Sequence, residues 1–309
     1  MNILITGGSG FIGRSLSEKL TTMGHQVYNI DIKKSKLVDD NILNFYGDVN
    51  NYKTFSTLEN KNIDYIFHLA AQTSGRVSVE NPKLDVMTNC LGAVNISKFI
   101  KINFSKTQNM PKLIFSSSMA VYGNYNGYIE ENFLLSPLSV YGASKVFSEY
   151  IFLNQTGLCP VTIFRLFNVY GPGQDMTNTL QGMASIFLKQ FIDTGKFRVT
   201  GSLDRYRDFI YIDDVIDALL LGLDMSTNNE IYNIGTGIKT SVYDLLQKIY
   251  SLGGKQFNVN VVENLGAHDG DTYGSLASIK KIESIGFEAK VSVDKGMKKF
   301  YDYEIGLNS

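Results

Sequence analysis

A glycine-rich turn follows the first apolar run of this chain: Asn2-Ile-Leu-Ile-Thr6 leads straight into Gly7-Gly-Ser-Gly-Phe-Ile-Gly13. A buried strand that turns through glycines into an amphipathic helix (Phe11, Ile12, Leu16, Leu20) aims N–H groups and a positive dipole end at a diphosphate. Gly7 permits the tight turn, Gly10 lets the backbone approach the pyrophosphate, and Gly13 lets the helix pack on the strand. Structural turns use the same residues, so context has to decide. The chain re-enters an apolar strand at Gln26-Val-Tyr-Asn-Ile30 and closes it with Asp31. That is about 20 residues beyond the motif, the spacing at which a carboxylate binds the adenosine ribose diol. Asp31 would repel a 2′-phosphate, which favours NAD over NADP, although Lys33 and Lys34 stand close enough to offset the repulsion.

The length of 309 residues and 44% hydrophobic content suit one large α/β domain with a smaller partner. Lys plus Arg (29) nearly balance Asp plus Glu (30), so no overall basic field gathers nucleic acid or anionic membrane. No apolar stretch approaches the roughly 20 residues needed to span a bilayer, and Met1 leads directly into a core strand without a signal-peptide h-region. A cytoplasmic protein is expected. Cys90 and Cys159 lack metal spacing and read as buried free thiols; three scattered histidines are too few for a zinc site.

Apolar runs resembling buried parallel strands recur at Ile3–Ile5, Val27–Ile30, Leu43–Tyr46, Ile63–Leu69, Lys112–Ser116 and Val161–Leu166. Helical patterns intervene at Ser15–Met23, Pro82–Asn103 and Tyr141–Asn154. The alternation predicts an α/β fold with a doubly wound, Rossmann-type parallel sheet whose ligand loops share one edge. After Arg165 the rhythm breaks. Phe209–Ile212 is expected to rejoin the sheet before a helix at Val215–Leu223, and a further strand is expected at Val259–Val262. The expected organisation is a dinucleotide-binding domain over 1–168, rejoined by 207–234, and a discontinuous substrate domain from 169–206 and 235–309.

Three segments are expected at the ligand edge: Phe115-Ser-Ser-Ser118, Tyr141-Gly-Ala-Ser-Lys145 and Arg165-Leu-Phe-Asn168. Tyr141 and Lys145 share a helix face, so the ammonium can lie near the phenol or the cofactor ribose. A cation there is expected to lower the phenol from its usual pKa of about 10, making Tyr141 a base near neutral pH. Ser118 ends the preceding strand, where its hydroxyl can orient a substrate oxygen toward Tyr141.

With these motifs the chain resembles the extended short-chain dehydrogenases/reductases, and within them the NAD-dependent sugar-nucleotide epimerases and dehydratases. The resemblance also runs through Gly47-Asp-Val49, His68-Leu-Ala-Ala-Gln72, Asn89 with Gly92, Val121-Tyr-Gly123, Arg165-Leu-Phe-Asn-Val-Tyr-Gly-Pro172, Arg207-Asp-Phe-Ile-Tyr-Ile-Asp-Asp214 and Tyr232-Asn-Ile-Gly235. It implies Ser118, Tyr141 and Lys145 as catalytic residues. Asp48 and Val49 would contact adenine, and Leu69, Ala70, Ala71 and Asn89 would line the cofactor's path. Asn168 and Arg207 would hold the nucleotide diphosphate of a sugar. Plainer readings stand beside these: Asp48 as a cap for a helix near Asn51, Asn89 bonded to a neighbouring loop, Arg207 paired with a nearby aspartate.

The family's dehydratases resemble one another in an Asp-Glu pair beside the active-site Ser or Thr; here Met119 and Ala120 follow Ser118. Without that acid, 4-epimerisation is the preferred reading, ahead of a 4-keto-sugar reductase and a non-catalytic NAD-binding protein. The family's Arg-x-Gly-Asp stretch is matched by His268-Asp-Gly-Asp271, a histidine replacing a permanent charge. Counting on, Ser275 falls where related epimerases gate the C2 substituent, and a serine leaves room for an N-acetyl group, unless Tyr273 fills that volume. Related enzymes pair two subunits through the helices Pro82–Asn103 and Tyr141–Asn154, which implies a homodimer; Ile96, Phe99, Phe147, Ile151 and Phe152 face either the partner or the sheet.

Overall fold

In the computed structural model the described residues are 1–306, excepting 36, 38, 156–158, 181 and 267–272. The chain divides into two compact units: Met1–Val121, Ser139–Arg165 and Ile216–Tyr232 form the first; Tyr122–Leu138, Leu166–Val215 and Asn233–Ser309 form the second.

The first unit is built on a seven-stranded sheet. In order across it run Glu230–Ile234, Val161–Leu166, Lys112–Ser118, Tyr65–His68, Asn2–Thr6, Gln26–Asp31 and Ile42–Tyr46. The pairs from Lys112–Ser118 to Ile42–Tyr46 are all parallel. Its central strands carry unbroken burial, as at Ile3, Leu4, Ile5, Ile66, Phe67, Leu113 and Ile114, because helices must cover both faces of such a sheet. Asn2–Thr6 is the switch point. From it the chain winds outward through Gln26–Asp31 in one direction and through Tyr65–His68 in the other, leaving a crevice beyond its carboxyl end.

The predicted helix Pro82–Asn103 is broken into Pro82–Asp85, a π-helical turn at Val86–Leu91 and an α-helix at Gly92–Thr107. The helix Val140–Gln155 packs against that turn and against Gly92–Thr107. Ile96, Phe99, Ile151 and Phe152 are buried in the core with Phe55, Phe115 and Ile163, and Phe147 alone of the five candidates for a subunit contact is exposed. Burying each such side chain contributes about 1.5–3 kcal/mol, which outweighs any weaker preference for a surface role.

A buried ion pair ties the helix to the sheet. Arg165 donates to Glu149 from Nε at 3.0 Å and Nη2 at 2.7 Å, and Ser117 donates to the same carboxylate.

Among the described residues, the second unit has three small sheets. Tyr206–Tyr211 pairs in parallel with Asn168–Tyr170 and antiparallel with Lys239–Ser241. The run Phe209–Ile212 therefore does not rejoin the large sheet; its apolar residues are buried in a sheet of the second unit, and Glu230–Ile234 takes the large sheet's edge. Accordingly residues 122–138 and 207–215 group with the second unit, a division that differs from a boundary at 168. The strand expected at Val259–Val262 forms as Val262–Asn264 after a single 3₁₀ turn. Asp208 is wholly buried and accepts from Thr236 N and Oγ1, Gly237 N and Ala277 N at 2.7–3.0 Å, fastening three segments of this unit.

Glu149→Ala leaves Arg165 charged and buried without its carboxylate, and the expected loss is about 3–5 kcal/mol of stability, read by urea denaturation. A Glu149→Met/Arg165→Met double variant should recover most of it, because both charges then leave the interior together.

Candidate active site

The glycine turn is shaped for close approach. Gly7 has φ +78 and donates to Ile30 O at 2.8 Å; a Cβ on it would lie 2.7 Å from Ala70 N. A Cβ on Gly13 would lie 2.1 Å from Gly7 O. Gly10 caps the helix Phe11–Thr22 without a side-chain bond, and the first turn holds no acidic residue. The N–H groups of Phe11, Ile12 and Gly13 thus belong to a helix start with no side chain occupying the place of an anion, as a bound diphosphate requires.

Asp31 accepts from Ser9 N at 2.9 Å and Lys33 N at 2.8 Å. The carboxylate is thereby oriented over the glycine turn, and its remaining lone pairs suit a ribose diol. Asp48 accepts from Asn50 N at 3.0 Å and opens a turn, while Asn51 caps the next helical segment itself. Val49 is buried against Gly92, its carbonyl held by Asn95 Nδ2 at 2.8 Å. Leu69 N donates to Thr6 O at 3.0 Å and Ala70 N to Thr6 Oγ1 at 3.4 Å, so the half-buried stretch Leu69–Ala71 runs beside the glycine turn. These residues fit an NAD site: the glycine cradle leaves no room for a Cβ, and an acid stands at the ribose position.

Asn89 follows the plainer of its two readings. Its Oδ1 accepts from Gln72 N at 2.9 Å, and its Nδ2 donates to Gln72 O at 3.0 Å and Ser144 Oγ at 2.8 Å. It therefore shapes the cofactor-side loop from beneath.

Ser118, Tyr141 and Lys145 lie together in the first unit. Ser118 ends its strand, receives Ala120 N at 3.1 Å and lies close enough to the Tyr141 phenol to favour its ionised form. Lys145 is buried, donates from Nζ to Ser116 O at 2.9 Å, and sits 4.8 Å from the centroid of the Phe115 ring. Burial pushes the ammonium down to about 8, opposed by Glu149 and Asp85. Burial pushes the Tyr141 phenol up to about 12, with Asp85 adding to the rise and the Ser118 side chain opposing it. The expected lowering of the phenol by Lys145 is thus not met in the protein alone. Desolvation dominates, and the Lys145 head is turned to a main-chain carbonyl. His68 is buried beside this group, pushed down to about 3 by burial and Lys145, and bonded through Nδ1 to Thr6 Oγ1 at 2.7 Å.

In the second unit, Asn168 donates to Asp208 O at 3.1 Å. Arg207 donates to Tyr206 O at 2.8 Å and Tyr273 O at 3.4 Å, and is pushed down to about 10 by burial and by Arg205. Ser275 is buried at the start of a strand, in register with Gly127. Tyr273, which competes for the volume near it, instead packs edge-on to Tyr206. His268 and Asp271 lie outside the described residues. Among the described residues no cluster of His, Cys, Asp or Glu is arranged to hold a metal, and no helix is long and apolar enough to cross a membrane.

Sequence reasoning missed Glu149, Arg165's role as its partner, and the buried Asp85. Glu149 stands four residues after Lys145 on one helix face, a spacing that marks a shared environment and not its burial.

Comparisons with known proteins identify the family. The sequence profile of the NAD dependent epimerase/dehydratase family matches residues 3–235. A putative UDP-glucose 4-epimerase of Methanocaldococcus jannaschii is 33% identical over 97% of each chain. A dTDP-4-dehydro-6-deoxyglucose reductase of Escherichia coli is 29% identical over 96% of this chain and 95% of its own. The solved UDP-glucose 4-epimerase of Thermotoga maritima, with UDP-glucose, superposes over 100% of both chains with a TM-score of 0.89 at 30% identity. With a profile match over most of its length and this degree of likeness, the chain belongs to the NAD dependent epimerase/dehydratase family.

Proposed function

We propose that the protein inverts C4 of a nucleotide-diphospho-sugar, a UDP-hexose or UDP-N-acetylhexosamine, through a transient 4-keto sugar. The observation that carries this reading is the grouping of Ser118, Tyr141 and a buried Lys145 that donates to Ser116 O, with Met119 and Ala120 where a dehydratase has its acids. Bound NAD⁺ would supply the hydride acceptor and donor, together with a positive ring charge. Tyr141 takes the 4-hydroxyl proton as phenolate when C4 gives up its hydride, and after the ketone has turned over it returns that proton to the C4 oxygen, while the hydride would come back to the opposite face of C4. Ser118 holds the reacting oxygen in line with the phenol, and Lys145 stabilises the phenolate across a water-poor site. The positive ring charge of bound NAD⁺ would favour the phenolate and so oppose the burial that pushes the phenol up to about 12.

In the second unit, burial and Arg205 both act against the Arg207 charge, and a diphosphate would offset both. Asn168, Arg207, His268 and Asp271 are proposed contacts of the nucleotide, and Ser275 a determinant of the C2 substituent. A 4-keto-sugar reductase is the second reading, favoured by the likeness to the Escherichia coli reductase. The two differ in cofactor traffic: an epimerase regenerates NAD within each turnover, and a reductase consumes a reduced cofactor.

The proposed assembly is a cytoplasmic homodimer with neither membrane nor nucleic-acid partner. Its contact face differs from the four buried residues above: Val86, Val94, Phe147, Tyr150 and Leu153 are exposed along the packed helices.

Tyr141→Phe should lower kcat by about 10²–10⁴-fold while NAD⁺ and UDP bind as in the parent, measured by turnover of UDP-glucose and by calorimetry. Ultraviolet difference titration against that variant should show the Tyr141 phenol ionising only at strongly alkaline pH in the ligand-free protein. NAD⁺ should move that ionisation to lower pH, because a nearby cation favours the phenolate.

Without added cofactor, UDP-GlcNAc and UDP-glucose should both be epimerised, and Ser275→Tyr should lower kcat/KM for the N-acetylated substrate selectively. In a separate assay with added NADH and a 4-keto-sugar nucleotide, stoichiometric loss of NADH would favour the reductase.

Phe147→Glu should shift the protein from dimer to monomer in sedimentation velocity, since a charge buried in an apolar contact costs more than the contact supplies.

A further inference from the structure

A buried carboxylate that no step above uses lies beneath the proton-transfer residues. Asp85 is wholly buried at the end of the short helix Pro82–Asp85. Gln72 Nε2 donates to both of its oxygens, at 3.0 and 3.1 Å, and Asn89 Nδ2 approaches Oδ1 at 3.4 Å. Burial pushes the Asp85 carboxyl up, and the Gln72 and Ser78 side chains beside it oppose that rise.

Two of these partners lead to the backbone of Tyr141. Ser78 Oγ accepts from Tyr141 N at 2.7 Å. On the other side, Asn89 Nδ2 donates to Ser144 Oγ at 2.8 Å, and Ser144 Oγ donates to Tyr141 O at 2.7 Å. The third partner leads to the cofactor side: Gln72 exchanges main-chain bonds with Asn89 and closes on Ser74 through Nε2 to Ser74 O at 3.0 Å. One acceptor therefore meets donors from the loop after Tyr65–His68, from the helix Gly75–Glu80 and from the π-helical turn.

We propose that Asp85 is a positioning residue for proton transfer. Its carboxylate ties both backbone polar groups of Tyr141 and the cofactor-side loop into one hydrogen-bonded frame, and its charge faces the Tyr141–Lys145 pair. A carboxylate suits this place because it only accepts; an amide would set its own N–H groups against Gln72 or Ser78. Buried polar networks hold one geometry only when every member is satisfied, so exchanging this acceptor disturbs all three arms at once.

The charge has a separate consequence. Asp85 raises the proton affinity of both Tyr141 and Lys145. The other ionisable groups facing the pair are Glu149 on the same helix, itself paired with Arg165, and His68 on the adjacent strand, which burial keeps neutral. Cys90, on the π-helical turn, has its thiol pushed up by burial and by Asp85. Removing the Asp85 charge should thus let the phenol and the ammonium lose their protons at lower pH, whereas a merely structural role would leave both titrations in place.

The proposal rests on the 4-epimerase reading only for its activity readout, so the test pairs that readout with one that needs no substrate. Asp85→Asn and Ser78→Ala are made in the full chain with NAD⁺ present and checked for folding by circular dichroism. UDP-glucose turnover and the tyrosinate difference titration of Tyr141 are then measured. Asp85→Asn should lower kcat about 10–100-fold with little change in KM, and move the Tyr141 titration down by roughly half a pH unit or more. Ser78→Ala should lower kcat less and leave the titration unmoved, because the charge remains. A folded Asp85→Asn protein with parental kcat, or with an unmoved titration, overturns the proposal. If Asp85→Asn does not fold, parental kcat in Ser78→Ala overturns it and reduced kcat supports it. If the parent protein itself fails to epimerise, the functional reading falls, and the titration still decides whether Asp85 acts on Tyr141.

Discussion

The placement of Ser118, Tyr141 and Lys145 depends on the buried pair of Glu149 and Arg165. Two charges in a protein interior repay their desolvation only when geometry and further hydrogen bonds satisfy both. Here the carboxylate receives two guanidinium nitrogens and the Ser117 hydroxyl. Ser117 adjoins Ser118, Arg165 lies on the next strand of the sheet, and Glu149 is one helical turn beyond Lys145. The helix bearing the phenol and the ammonium is thereby set against the strand bearing the hydroxyl, and slippage of one against the other would break the pair.

Burial is the other side of this arrangement. The same water-poor packing that holds Tyr141 and Lys145 acts against the charged form of each, pushing one up and the other down. A site in this condition is ordered before it is charged. In the proposed reaction the positive potential would come from what the site binds.

The turn from strand to helix at Gly7–Gly13, and the acid closing Gln26–Asp31, are local patterns and were legible in the sequence. So were Ser118, Tyr141 and Lys145, whose spacing places them whatever surrounds them. The proton affinity of Tyr141 was not, because it depends on desolvation by residues distant in the chain. Ile96, Phe99, Ile151 and Phe152 show the same limit: an apolar stripe on a helix says that something covers it, and only packing decides between sheet and partner. Phe209–Ile212 reads as a core strand in either unit, which is why the expectation that it rejoins the large sheet fails: Phe209–Tyr211 pairs with Asn168–Tyr170 instead. Asp85 stood inside a continuous helical pattern with nothing local to mark it as an acceptor for three elements.

The π-helical turn at Val86–Leu91 also has a geometric consequence. Such a turn holds one surplus residue, and one residue is worth about 100° of rotation in an α-helix. Asn89 can therefore face inward toward Gln72 while the downstream segment still directs Ile96, Phe99 and Ile100 into the interior. Without the surplus, helical phase would force a choice between presenting the amide and seating the aromatic and aliphatic row. The irregularity lets one continuous stretch of chain serve the ligand crevice and the hydrophobic interior at once.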